Sequence, residues 1–143
     1  MPQSNSGVST HTVFVPRPPA DCWRVFTDVA LLASWVPGLR RARAVAVDEG
    51  GRPSEILFEF AASLTYSLVY RYDPAAHELW WEPRAGKRDA VRGGARFDAE
   101  AGGTRLRYHL AQGDGRSASE RALADPERLL AAFVACMAQA PRR

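Results

Sequence analysis

The side chains with chemistry to offer in this sequence are aromatic rather than acid–base. Tyr66 and Tyr70 share one face of the alternating segment Thr65–Tyr72 with Leu68 and Tyr72, and Tyr108 is in phase with Leu106 and Leu110 between Thr104 and Gln112. A tyrosine is a poor filler for a dry core, because its buried hydroxyl needs a hydrogen-bond partner. In a cavity wall the same residue presents an apolar ring and turns its hydroxyl to ligand or water. Trp35, Phe58, Phe60, Tyr66, Tyr70, Trp81, Phe97, Tyr108, Phe133 and Met137 read as one converging set. Such a set is either a filled core or the mostly apolar lining that a hydrophobic small molecule requires. The arginines divide in two. Arg71, Arg92, Arg96, Arg105 and Arg107 alternate with apolar neighbours and belong on a solvated face, whereas Arg43 precedes Val45 and Val47 in phase, which places it at a cavity rim. The aromatic set is therefore the candidate ligand-binding surface.

Several classes of chemistry lack their signatures. The chain has no glycine-rich phosphate loop with its lysine, no Cys-x-x-Cys, no His-Glu-x-x-His and no Gly-x-Ser-x-Gly elbow, which argues against a hydrolase or a nucleotide enzyme. His11, His77 and His109 fall on different elements, so no metal is assigned and no cofactor is expected. Cys22 and Cys136, on the first and last helices, read as small buried hydrophobes rather than a pair. The net charge of +3 rests almost wholly on arginine, Lys87 being the sole lysine. That mild basicity is a weak electrostatic footprint, and neither nucleic acid nor an anionic membrane is the expected partner. No apolar run approaches the roughly 20 residues that span a bilayer, and the polar start MPQSNSGVST lacks a secretory signal's apolar stretch. A cytoplasmic protein is expected, its oligomeric state left open, a homodimer included.

The elements that must position these residues follow from periodicity. A length of 143 residues with 46% hydrophobic content suits one domain, expected over 10–143 after a disordered tail at 1–9. Thr10–Val15 reads as a first strand. Pro18 and Pro19 suit a helix's first turn, and Cys22, Val25, Phe26, Val29 and Leu32 recur at helical spacing, giving one helix that ends near Ser34 with Trp35 on an irregular segment beyond it. Strands follow at Arg41–Val47, Ser54–Ala61, Thr65–Tyr72, Glu78–Glu82, Asp89–Ala99 and Thr104–Gln112, with Gly93 and Gly94 suggesting a bulge or sharp bend. Asp125, Pro126 and Glu127 open a last helix whose apolar stripe is Leu129, Leu130, Phe133, Val134, Met137 and Ala138. The class is α+β, with seven strands in an antiparallel sheet.

This layout resembles the START-like helix-grip superfamily, and within it the polyketide cyclase/dehydrase branch. The resemblance rests on Pro18 or Pro19, Trp23, Asp28 and Trp35-Val36-Pro37, then on Tyr70-Arg71-Tyr72-Asp73-Pro74, Glu78-Leu79-Trp80-Trp81 and the run Gly102–Tyr108, and it covers residues 10 to 140. It implies a curved sheet wrapped round a long C-terminal helix, with a ligand cavity between them and, since the last helix is short, one end of the cavity open. It implies a lipid-, polyketide- or quinone-like ligand held by a carrier or sensor. One alternative it implies is a cyclase, dehydratase or aromatase acting without metal or nucleotide, in which a cavity arginine and hydroxyls polarise a poly-ketone during aldol closure, which makes Arg43, Tyr70 and Tyr108 the candidate catalytic side chains here. The other is a protein-interaction role, like that of respiratory chaperones, ribosome-associating proteins and chaperone-ATPase activators in the family, made through the basic loop Arg84, Lys87, Arg88 and Arg92.

Overall fold

The computed structural model describes residues 8–61, 65–83, 91–112 and 125–139. Seven strands, β1 (Val8–Val15), β2 (Leu39–Val47), β3 (Pro53–Phe60), β4 (Thr65–Asp73), β5 (Glu78–Pro83), β6 (Val91–Glu100) and β7 (Gly103–Gln112), form one sheet. Every neighbouring pair is antiparallel, in the order β1-β7-β6-β5-β4-β3-β2. The sheet is curved and unclosed, with β1 and β2 at its free edges. The chain crosses from one edge to the other through helices α1 (Pro19–Phe26) and α2 (Val29–Trp35), and a third, α3 (Pro126–Gln139), packs on the concave face. Among the described residues no helix is long and apolar enough to cross a membrane.

Side-chain alternation decides which residues face α3. Ile56, Phe58, Phe60, Leu68, Leu79, Trp81, Phe97, Leu106, Tyr108 and Leu110 are buried on the concave side and meet Leu130, Phe133 and Met137 of the helix. Burial of a side chain such as Phe133 stabilises the fold by about 1.5–3 kcal/mol. The start of α3 is built as its sequence dictates. Asp125 accepts from the Glu127 backbone N–H at 3.0 Å, and Pro126 occupies the first turn without forfeiting a bond.

In four places the structure departs from the sequence expectations. The first strand begins at Val8 rather than Thr10, so residues 8 and 9 belong to the sheet and not to a tail. The expected single helix is two. Thr27 turns its hydroxyl back to the Trp23 carbonyl at 2.7 Å, and Asp28, in extended backbone, caps α2 by accepting from the Ala30 N–H at 2.9 Å. These local side-chain bonds end one helix and start the next, and Trp35 closes α2 instead of lying beyond a helix. The third departure is in β2, an edge strand with irregular register at Leu39/Arg41 and again after Ala44. There Ala42 and Ala44 pair with Phe58 and Ile56 and share their concave face. Val45 and Val47 are exposed outward, and Arg43 goes with them.

The fourth concerns Gly93 and Gly94. No bulge interrupts β6 there, because its register with β7 runs unbroken from Val91 to Glu100. The glycines serve close packing instead: a Cβ at position 93 would sit 2.2 Å from the His109 carbonyl oxygen and 3.1 Å from the Trp81 ring, and one at 94 would sit 2.7 Å from the His109 imidazole.

Arg17 ties the helices together. Only 3% exposed, it donates from Nη1 to the Met137 carbonyl at 2.6 Å and from Nη2 to Asp21 at 3.1 Å. Its own carbonyl accepts from the Thr104 hydroxyl at 2.6 Å. A cation on the last turn of α3 satisfies a carbonyl with no partner inside the helix and complements the dipole. The start of α1 and the end of α3 thus meet at one buried guanidinium, and β7 is tied to the same residue through its backbone carbonyl.

Candidate functional site

Between the sheet and the helices lies a cavity of about 80 Å³. Its floor is the inward face of β3, β4, β5 and β7, contributing Ile56, Phe58, Phe60, Tyr66, Leu68, Tyr70, Tyr72, Leu79, Trp81, Tyr108 and Leu110. Its roof is Phe26 and Thr27 at the end of α1, Leu32 and Trp35 of α2, Val36, and Leu129 of α3. Period-two alternation brings the floor residues together, since consecutive inward positions on neighbouring strands sit opposite each other: Phe58 faces Tyr66 and Tyr70 faces Trp81. The rings form a continuous layer, with Phe60 and Tyr66 at 5.5 Å, Tyr70 and Trp81 at 6.0 Å and Trp81 and Tyr108 at 5.5 Å between centroids. Tyr66, Tyr70, Tyr72, Thr27, Val36 and Leu129 are half-buried and mark the side that reaches toward solvent.

Of the expected ligand-binding set, Trp35, Phe58, Phe60, Tyr66, Tyr70, Trp81 and Tyr108 lie on this wall. Phe97, Phe133 and Met137 do not. They are buried behind it, Phe133 being packed 4.9 Å from Trp35 and 5.3 Å from Phe26. Of the candidate catalytic side chains, Tyr70 and Tyr108 face the cavity, and Arg43 stands exposed on the opposite side of the sheet. The wall also holds residues not named from the sequence. Ile56, Leu68, Tyr72 and Leu110 were legible as phase-mates of named ones, and Phe26 and Leu32 as members of the buried helical stripe. Of the basic loop, Arg84, Lys87 and Arg88 lie outside the described residues.

The electrostatics of the cavity are uniform. Among the described lining residues none carries a charged side chain. The Tyr72 hydroxyl is spent, donating to the Pro53 carbonyl at 2.7 Å. Among the described residues the Tyr70 and Tyr108 hydroxyls make no hydrogen bond. Burial pushes the Tyr70 phenol well above its ordinary value, with Tyr72, Tyr108 and Tyr66 adding to the effect, and burial with Tyr66 pushes Tyr108 up as well. Both stay protonated donors at neutral pH. The Trp35 indole Nε1–H is also buried without an acceptor among the described residues. The described residues gather no group of three His, Cys, Asp or Glu side chains able to hold a metal, and Cys22 and Cys136 are free thiols.

The chain also matches a family model, polyketide cyclase / dehydrase and lipid transport, over residues 7–139. It belongs to that family. Its fold is shared by a START superfamily protein from Mycobacterium smegmatis (19% identity, 92% of this chain and 97% of that one, TM-score 0.74). The Zhui aromatase/cyclase from a Streptomyces species is similar too, at 15% identity over 92% of this chain and 93% of that one, TM-score 0.75. A STAR-related lipid transfer protein from Xanthomonas axonopodis superposes at TM-score 0.63 with 14% identity, over 96% and 97% of the two chains. No curated protein sequence matches this chain.

Proposed function

We propose that this member of the family is a non-catalytic binding protein, a carrier or sensor that encloses a hydrophobic small molecule between the sheet and its helices. The observation that carries the reading is the cavity's wall: aromatic and aliphatic, with unspent hydroxyl and indole donors and no acid or base among its described residues. Ring closure of a poly-ketone needs a group that takes a proton from carbon. The tyrosines here are shifted the opposite way, toward permanent protonation. A cyclase reading draws on those same hydroxyls as donors to a developing enolate, and an unchanged product distribution when the protein is added to a poly-ketone synthesis would dispose of it.

The binding reading is tested by titrating lipids, quinones and polyketide mimics while following tryptophan fluorescence, since Trp35 and Trp81 both stand in the wall. Saturable change with at least one class is expected, together with a raised melting temperature. Unchanged fluorescence and melting across all classes contradicts it.

A further inference from the structure

We infer that the ligand presents to the inner wall an uncharged carbonyl oxygen on a compact, ring-sized body, and that carboxylate ligands are excluded. This rests on the reading of the cavity as a ligand site and goes further by fixing the chemistry of the buried end.

Three features of the wall converge on it. The first is a surplus of donors. The Trp35 Nε1–H can only donate, is buried, and has no acceptor among the described residues. Tyr70 and Tyr108 add two hydroxyls held protonated by burial and spent on no described partner. Polar groups already engaged include Thr27, bonded to the Trp23 carbonyl, and Tyr72, bonded to the Pro53 carbonyl. The Trp35 N–H can only donate, while the Tyr70 and Tyr108 hydroxyls can donate or accept, so a carbonyl oxygen is the one ligand group that suits all three.

The second feature is neutrality. No cationic side chain is among the described lining residues. The arginines of the outer face are held there by strand alternation, several in ion pairs with Asp98, Glu100 and Glu59. A carboxylate entering the cavity would give up its water and find no counter-ion, which is unfavourable even with neutral donors present. A carbonyl keeps its acceptor capacity at a much smaller desolvation cost. The third feature is size. The volume of about 80 Å³ is below the roughly 150 Å³ of an engineered cavity that takes benzene. A single-ring body comes nearest to that volume, and an extended acyl chain far exceeds it.

The test compares three probes of matched shape on the full-length protein: acetophenone, ethylbenzene and benzoate. Binding is followed by the indole N–H signals of uniformly labelled protein in proton–nitrogen spectra, the Trp35 signal being assigned by Trp35→Phe. Acetophenone is expected to bind about fivefold more tightly than ethylbenzene, the ratio one net hydrogen bond supplies. It should also shift the Trp35 indole proton, which ethylbenzene leaves near its free position, and benzoate should not saturate. Tyr70→Phe, a conservative change that removes only the hydroxyl, should bring the acetophenone to ethylbenzene ratio toward one even if Trp35→Phe fails to fold. Equal binding of the ketone and the hydrocarbon, or saturable binding of benzoate, overturns this inference and leaves the cavity a ligand site. Failure of all three probes and of the broader titration overturns both.

Discussion

The two faces of the one sheet carry opposite chemistry from interleaved residues. On β4 the inward positions are Tyr66, Leu68, Tyr70 and Tyr72, and between them Val69 and Arg71 look outward. On β7 Leu106, Tyr108 and Leu110 are buried, while Arg105 and Arg107 are exposed and His109 is half-exposed. The inner face is uncharged, and among its described residues the Tyr70 and Tyr108 hydroxyls and the Trp35 indole N–H have no hydrogen-bond partner. The outer face holds cations, many already answered by carboxylates: Arg96 and Arg107 share Asp98 at 2.9 and 2.8 Å, and Arg105 pairs with Glu100. It also has a hollow of about 240 Å³ where Arg71 stacks 5.9 Å over Trp80. A register slip of one residue would exchange the two sets, so the neutrality of the cavity and the solubility of the outer surface are one property of the alternation. Enclosure and loss of charge therefore go together on this sheet.

The difference can be attacked from either side. The largest effect is expected from Phe133→Ala, which opens a void behind the cavity wall and should cost about 3–5 kcal/mol in denaturant unfolding. Next comes Arg17→Ala. Losing the buried donor to the Met137 carbonyl loosens the end of α3 against α1 and should lower stability by about 2 kcal/mol, with faster amide exchange confined to the last turn of that helix. Tyr70→Phe should leave stability nearly unchanged, because its hydroxyl has no described partner to lose, while weakening carbonyl ligands in the probe comparison. The smallest effect belongs to the outer face. Asp98→Asn removes an exposed ion-pair hub, and its slight loss of stability should vanish in about 1 M salt, where such pairs are screened.

Titration separates the faces as well. The Tyr70 and Tyr108 phenols are raised in the folded protein. Their contribution is therefore fully present below the unfolded value near 10 and is lost as pH rises above it toward the folded values. On the outer face the hydrogen bond from Arg96 leads in holding Asp98 below its ordinary value, against burial and with help from Arg107. That contribution is present above about pH 4 and is lost as pH falls through the depressed folded value. Melting temperature against pH should fall off at both ends, and Tyr70→Phe with Tyr108→Phe should flatten only the alkaline limb.

Much of this was legible from alternation alone. Period two in Ile56–Phe60 and Tyr66–Tyr72 fixed which rings share a face, and Asp125-Pro126 fixed where α3 begins. What period cannot report is depth. Phe97, Phe133 and Met137 are in phase with the wall yet stand behind it, because that depends on how far the sheet curves and where α3 settles. Composition misled in β2, where the larger Val45 and Val47 drew attention from Ala42 and Ala44. The concave side there faces Phe58 and Ile56, and small residues fit against them. The break at Thr27 and Asp28 followed from side chains that bond backbone locally, a signal present in the sequence but outweighed by the helical stripe. The Arg17 contact to Met137 joins residues 120 apart, and nothing local announces it.

The central claim, a neutral apolar guest in an uncharged cavity, is tested most directly by native mass spectrometry of freshly purified protein followed by denaturing extraction. The expected result is a retained or readily loaded neutral molecule with a carbonyl on an apolar ring. A protein that stays unliganded and shows no thermal shift with lipids, quinones or polyketide mimics would contradict it, and the aromatic layer would then be a filled core.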